Sequence, residues 1–184
     1  SGASPTLKNV HVRLCHGSYG GYHNGGKVTY VGARFEDNAP SYTLYFDGGA
    51  TASLTGVTFL NNQSVDGGAV HFSAGTHATV DSCVFVGNTA SSTHGGAIYA
   101  NGESLTVRQC RFTANEAQHG GGVAAQNSTK RVVIRDSKFE ANVSTYGGGL
   151  YLWGTTQAHL VDNTFVENVA GADGGGAYLD NGSN

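Results

Sequence analysis

At 184 residues, with a formal net charge of −3 and a pI near 6.2, the chain has the length of one domain and no concentrated basic face, which sets aside nucleic-acid backbone binding. Glycine supplies 29 residues and charged residues only 12%, but glycine does not recur at every third position, so the chain is not collagen. Hydrophobic residues make up 39% and recur in order, which excludes disorder and leaves a β-rich chain whose many turns need residues tolerant of positive φ.

No apolar run approaches the length of a membrane span, and no signal peptide opens the sequence. Neither end carries an obvious cap. We therefore expect residues 1–184 to form a single β-helix repeat domain cut from a longer protein.

In chain order, the first coil is degenerate. Val10-His11-Val12 stands where later coils have a strand ending in Phe, and Cys15 takes the place of an Asn. From there Phe-x-x-Asn recurs as Phe35/Asn38, Phe59/Asn62, Phe85/Asn88, Phe112/Asn115, Phe139/Asn142 and Phe165/Asn168, with successive Phe residues 24 to 27 positions apart. A glycine group followed by a short apolar segment alternates with it: Gly67-Gly68-Ala69-Val70, Gly95-Gly96-Ala97-Ile98, Gly120-Gly121-Gly122-Val123, Gly147-Gly148-Gly149-Leu150 and Gly174-Gly175-Gly176-Ala177.

Before each Phe stands a strand-like run such as Leu105-Thr106-Val107 or Val132-Val133-Ile134. After each glycine group comes a second one, such as Val70-His71-Phe72 or Leu150-Tyr151-Leu152. Gly and Asn punctuate every few residues and leave no room for a helix. Each repeat is therefore two or three short strands, which bury their apolar side only when stacked on neighbours. Leucine is too sparse for a leucine-rich repeat, and the period is too short for a propeller blade.

The predicted fold is all-β, a right-handed parallel β-helix of about seven coils of ~26 residues. At a coil spacing of about 4.8 Å it is a rod of roughly 34 Å. Stacking turns each repeat position into a file of like residues. The Phe file should line the core, and each Asn should bond the backbone of its own turn and the Asn above and below.

FxxN paired with GGA[ILV], as in Asn88-Thr89-Ala90 with Gly95-Gly96-Ala97-Ile98, resembles the repeat of the chlamydial polymorphic membrane proteins over roughly Phe35 to Leu179. The resemblance implies a secreted or surface-exposed β-helix, in that family the adhesive passenger of an autotransporter. Later coils depart from it with GGG in place of GGA, and no C-terminal membrane barrel is present in this segment.

Candidate chemistry is sparse. Asp136 and Asp162, each three residues before its Phe, are the best pair for a carboxylate mechanism, but Gly56, Ser82 and Gln109 hold the equivalent places. A second file precedes the glycines: Asp66, His94, His119, Tyr146 and Asp173. Metal ligation there would need convergence at ~2.0–2.2 Å, and we expect no metal and no cofactor. A third file, Tyr45, His71, Tyr99, Ala124, Tyr151 and Tyr178, should face outward as a stripe of exposed rings, the candidate surface for a glycan or protein partner.

Cys83 and Cys110, in the same place on adjacent coils, read as a buried thiol stack rather than a bridge. Of four sequons, Asn127 and Asn181 are the glycosylation candidates, because Asn62 and Asn142 belong to the Asn file. The expected function is a non-enzymatic extracellular or cell-surface segment, an adhesin passenger, stalk, filament or coat component. Its partners would be surface glycan, protein or like subunits. The alternative is a polysaccharide lyase or hydrolase.

Overall fold

The computed structural model describes residues 4–126, 131–155 and 157–180. Three parallel seven-stranded sheets run along a common axis. The first holds Thr6–Lys8, Lys27–Val31, Thr51–Thr55, His77–Asp81, Ser104–Arg108, Arg131–Arg135 and Gln157–Val161. The second holds His11–Arg13, Arg34–Glu36, Thr58–Leu60, Val84–Val86, Arg111–Thr113, Lys138–Glu140 and Thr164–Val166. In the third are Tyr19–Asn24, Tyr42–Asp47, Val70–Phe72, Ile98–Ala100, Val123–Gln126, Leu150–Trp153 and Ala177–Asp180. The chain visits the three sheets in turn and closes seven coils, as the repeat predicts.

Register is strict. Phe35, Phe59, Phe85, Phe112, Phe139 and Phe165 are direct partners from coil to coil, with Val12 at the head of the file. Neighbouring phenyl rings stack with centroids 4.7–5.0 Å apart. The first five are fully buried and Phe165 is partly so, which makes the file a large share of the core. From the first sheet Leu54, Val80, Leu105, Val107 and Ile134 meet it, and from the third Leu44, Phe46, Phe72, Ile98 and Leu150.

The asparagine file runs beside it, buried from Asn38 to Asn142. Each interior amide makes four bonds. In Asn115, Nδ2 donates to Asn142 Oδ1 at 2.9 Å and to the Phe85 carbonyl at 3.1 Å. Its Oδ1 accepts the Asn88 backbone N–H at 3.0 Å and Asn88 Nδ2 at 2.9 Å. The backbone bonds thus reach the preceding coil, not the residue's own turn as expected. In-register stacking puts that coil's free groups closer. Cys15 does take the Asn place, its N–H donating to Asn38 Oδ1 at 2.9 Å.

A shorter inward file supplies further acceptors. The N–H of Val57 points to Cys83 Sγ, that of Cys83 to Cys110 Sγ, that of Cys110 to Ser137 Oγ and that of Ser137 to Asn163 Oδ1. Both cysteines are buried free thiols, and the hydrogen bond with Cys83, together with burial, pushes the Cys110 thiol up.

The corners depend on left-handed residues. One corner places Asn9, Gly32, Gly56, Ser82, Gln109, Asp136 and Asp162 at φ of 51° to 60°. A second does the same with Leu14, Asp37, Asn61, Gly87, Ala114, Ala141 and Glu167 at 50° to 64°, each directly before the Cys15 or Asn position. Left-handed φ disfavours Leu, Ala and Glu by roughly 1–2 kcal/mol. The stacked coils hold them there through bonds such as Ala114 N–H to the Glu140 carbonyl at 3.0 Å. At the third corner a Cβ on Gly95 would stand 2.1 Å from the Ile98 carbonyl oxygen, so only glycine fits.

Candidate functional site

The outward side of the third sheet gathers most of the remaining aromatic residues into two files along the axis. One is Tyr22, Tyr45, His71, Tyr99, Ala124, Tyr151 and Tyr178, in register from coil to coil. The other begins with Tyr19 and Tyr42 and continues at the glycine corner with Asp66, His94, His119, Tyr146 and Asp173. Strand alternation turns the first file away from the core, and the left-handed glycine folds the second across it.

The predicted register is right, but the expected exposure is not. His71, Tyr99 and Tyr151 are only 7%, 8% and 9% exposed, and Ala124 is fully covered, whereas Tyr45 and Tyr178 are partly exposed. The corner residues roof them. His94 stacks on Tyr99 at 4.9 Å, His119 lies on Tyr151 at 4.9 Å and Tyr146 meets Tyr178 at 5.8 Å. Tyr99, Ala124 and Tyr151, with Tyr146 and Tyr178 against them, form a second apolar cluster outside the main core. The stripe is therefore an edge-on ribbon rather than a display of free ring faces.

Its most open part lies in the first coils, where the sequence marks Tyr45 but not Tyr19, Tyr22 or Tyr42. Tyr19 and Tyr22 are 43% and 44% exposed. With Tyr42 and Tyr45 they form a four-ring patch with centroids 4.7–5.8 Å apart. The repeated Tyr-x-x-Tyr of residues 19–22 and 42–45 was the available signal. Trp153, 37% exposed, extends the surface beside Tyr151. Among the described residues no strand of this sheet carries Lys or Arg.

The polar centre of the ribbon is Asp66. Its Oδ1 accepts the His94 N–H at 3.0 Å, the Thr93 N–H at 3.3 Å and the Thr93 hydroxyl at 3.1 Å, and His94 Nδ1 lies 3.6 Å away. Against the cost of burial, the bonds from His94 and Thr93 hold its carboxyl down at about 2. His94 and His119 stack at 5.1 Å with nearly parallel rings, so their nitrogens do not converge. Among the described residues no group of three His, Cys, Asp or Glu is arranged to hold a metal ion.

Burial pushes His71 down to about 4, outweighing the carboxylates of Asp66 and Asp47. His119 is also lowered, by burial and then by the charge of His94. The Nδ1 atoms of His71 and His119 are buried without a partner.

Asp136 and Asp162 lie in the left-handed file between the first two sheets, and Asp136 pairs with Arg135 at 3.0 Å. Asp tolerates this conformation better than most residues, which accounts for both positions structurally. Asn62 and Asn142 have their amides fully engaged in the buried file, while Asn127 and Asn181 lie outside the described residues.

A family model described as a right handed beta helix region matches residues 1–168. The chain belongs to that family. Searches of curated proteins and of solved structures give no match. The β-helix fold is compatible with structural, adhesive and enzymatic roles, and the family has both non-enzymatic and polysaccharide-active members.

Proposed function

We propose that this β-helix is a non-enzymatic structural or adhesive segment working outside the cell or on its surface, with the aromatic ribbon as its docking face. The observation that carries the reading is the ribbon itself: two files of outward rings follow the axis, and open into the Tyr19, Tyr22, Tyr42 and Tyr45 patch. Such a surface suits a neutral glycan or a protein partner, since aromatic bodies with polar tips are favoured at interfaces. The absence of Lys and Arg from its strands disfavours acidic polymers. The repeat's resemblance to chlamydial polymorphic membrane proteins supports the adhesive version, and like subunits in a filament or coat are a related one. No helix in the described residues is long and apolar enough to cross a membrane.

Calorimetric titration with neutral β-glucan and N-acetylhexosamine oligomers tests the docking face. Binding by the wild type and at least tenfold weaker binding by Tyr22→Ala is the expected result. Binding unaffected by Tyr22→Ala and Tyr45→Ala together would move the docking face elsewhere. Release of unsaturated or reducing ends from pectate or alginate, above a heat-killed control, would establish the enzymatic alternative instead.

A further inference from the structure

Three histidines of this ribbon lie on three consecutive coils, His71 in the strand file of the third sheet and His94 and His119 at the adjoining glycine corner. His71 sits edge-on against Tyr45 at 4.8 Å and Tyr99 at 4.7 Å, with Tyr42 at 5.3 Å. His94 is sandwiched between Tyr99 at 4.9 Å and His119 at 5.1 Å. His119 in turn meets Tyr146 at 5.5 Å and Tyr151 at 4.9 Å. The imidazoles therefore touch rings, and each other, more than they touch water.

Protonation has little to satisfy it there. Charging His71 or His119 puts a proton on a buried Nδ1 that has no acceptor. The facing charges are few. Asp66 is already engaged by Thr93 and His94, and Asp47 is the other carboxylate acting on His71. The remaining titratable neighbours are the phenols of Tyr42, Tyr45, Tyr99, Tyr146 and Tyr151, which supply no negative charge in weak acid. Beyond burial, the neighbouring His94 further disfavours a proton on His119.

The corner is also the thin part of each coil. His94, His119 and Tyr146 are joined by isolated bridges rather than by a continuous strand. The phenylalanine and asparagine files stand apart from it, in the main core cluster and its buried corner, and contain no group that titrates in weak acid.

We propose that the ribbon around His71 and His119 is an acid-responsive joint, which loosens locally when these two imidazoles are protonated while the phenylalanine and asparagine files keep the coils stacked. This holds whatever the ribbon binds. Burial of His71 and His119 sets the trigger below the usual histidine range, so the joint is closed at neutral pH and opens in weak acid.

Residue-resolved amide exchange at pH 7.5 and pH 5.0, corrected for intrinsic rates, reads the opening. The amides of Gly95 and Gly120, which bond the His119 and Tyr146 carbonyls, should lose at least tenfold in protection at the lower pH. Those of Asn88 and Asn115 should not change. The double variant His71→Tyr and His119→Tyr keeps rings that the same files already carry at Tyr99 and Tyr146, and should show no acid-induced step.

An equal step in that variant, or none in the wild type, overturns the proposal. Should the variant fail to fold, imidazole C–H titration of the wild type by NMR decides. His71 and His119 midpoints below the unperturbed value uphold the joint, and midpoints at or above it overturn the joint.

Discussion

The two long edges of this rod are built on opposite terms. Along the phenylalanine and asparagine edge every coil after the first repeats the same residues, every interior amide makes all its bonds, and neither file contains a group that titrates in weak acid. Along the aromatic ribbon the residue changes from coil to coil among Tyr, His, Ala and Asp, and two imidazole nitrogens are buried without partners. Uniformity marks the edge that holds coils together. Variation at constant position marks the edge free to carry recognition and response.

The largest effect should come from breaking the uniform edge. Phe112→Ala opens a hole between Phe85 and Phe139 in the fully buried stack, and should cost about 3–5 kcal/mol by chemical denaturation. Tyr99→Ala, on the ribbon, should cost about 2 kcal/mol. It removes a ring that is 8% exposed and packed by His71 and His94, so its effect exceeds what a free outward ring would give. Equal losses would mean that the two edges are not energetically distinct.

Acid should weaken the ribbon through His71. His71 is held at about 4 in the folded protein, below the ordinary value of 6.5. Between those two pH values the unfolded chain binds the proton and the folded one does not, so stability is lost as pH falls from 6.5 towards 4. The loss should reach about 3 kcal/mol at the bottom of that window, measured by denaturation midpoints across the range. His71→Tyr should remove this component. Asp66 acts in the same sense but lower down, since a carboxyl held at about 2 adds stability above its ordinary value of 3.8 that is lost as pH falls through about 2. The two windows do not overlap, so a single titration separates them.

The smallest effect sharpens the comparison. Ala114 is held at φ 52° in the corner before the Asn file. Ala114→Gly relieves that strain but adds unfolded-state entropy, and should stabilise by no more than about 1 kcal/mol in thermal denaturation. A loss of stability would show that the stacked corner gains more from the alanine than its backbone strain costs.

The uniform edge was legible in the sequence because its period and its residue types are both strict. Phe35 to Phe165 and Asn38 to Asn168 could be placed in register from spacing alone, and so could the thiols of Cys83 and Cys110. The ribbon's register was legible too, as His71, Tyr99, Tyr151 and Tyr178 follow the glycine groups and Tyr45 keeps the same place in the segment 41–46. Its burial was not, because the cover over Tyr99 and Tyr151 comes from His94 and His119 folding across a left-handed glycine. Tyr19 and Tyr22 are not marked in this way, because the first coils lack the GGA form and no glycine motif precedes their strand. The left-handed backbone of Leu14, Ala114 and Ala141 runs against local preference, and only bonding between stacked coils imposes it.

The most direct test of the contrast between the edges is native-state amide exchange at pH 7.5. The Asn62, Asn88 and Asn115 amides donate to buried side-chain carbonyls of the next coil, and should exchange only through global unfolding. The Gly95 and Gly120 amides at the ribbon corner should exchange measurably faster, through local opening. Uniform protection at both edges would contradict the account, and so would faster exchange in the asparagine file.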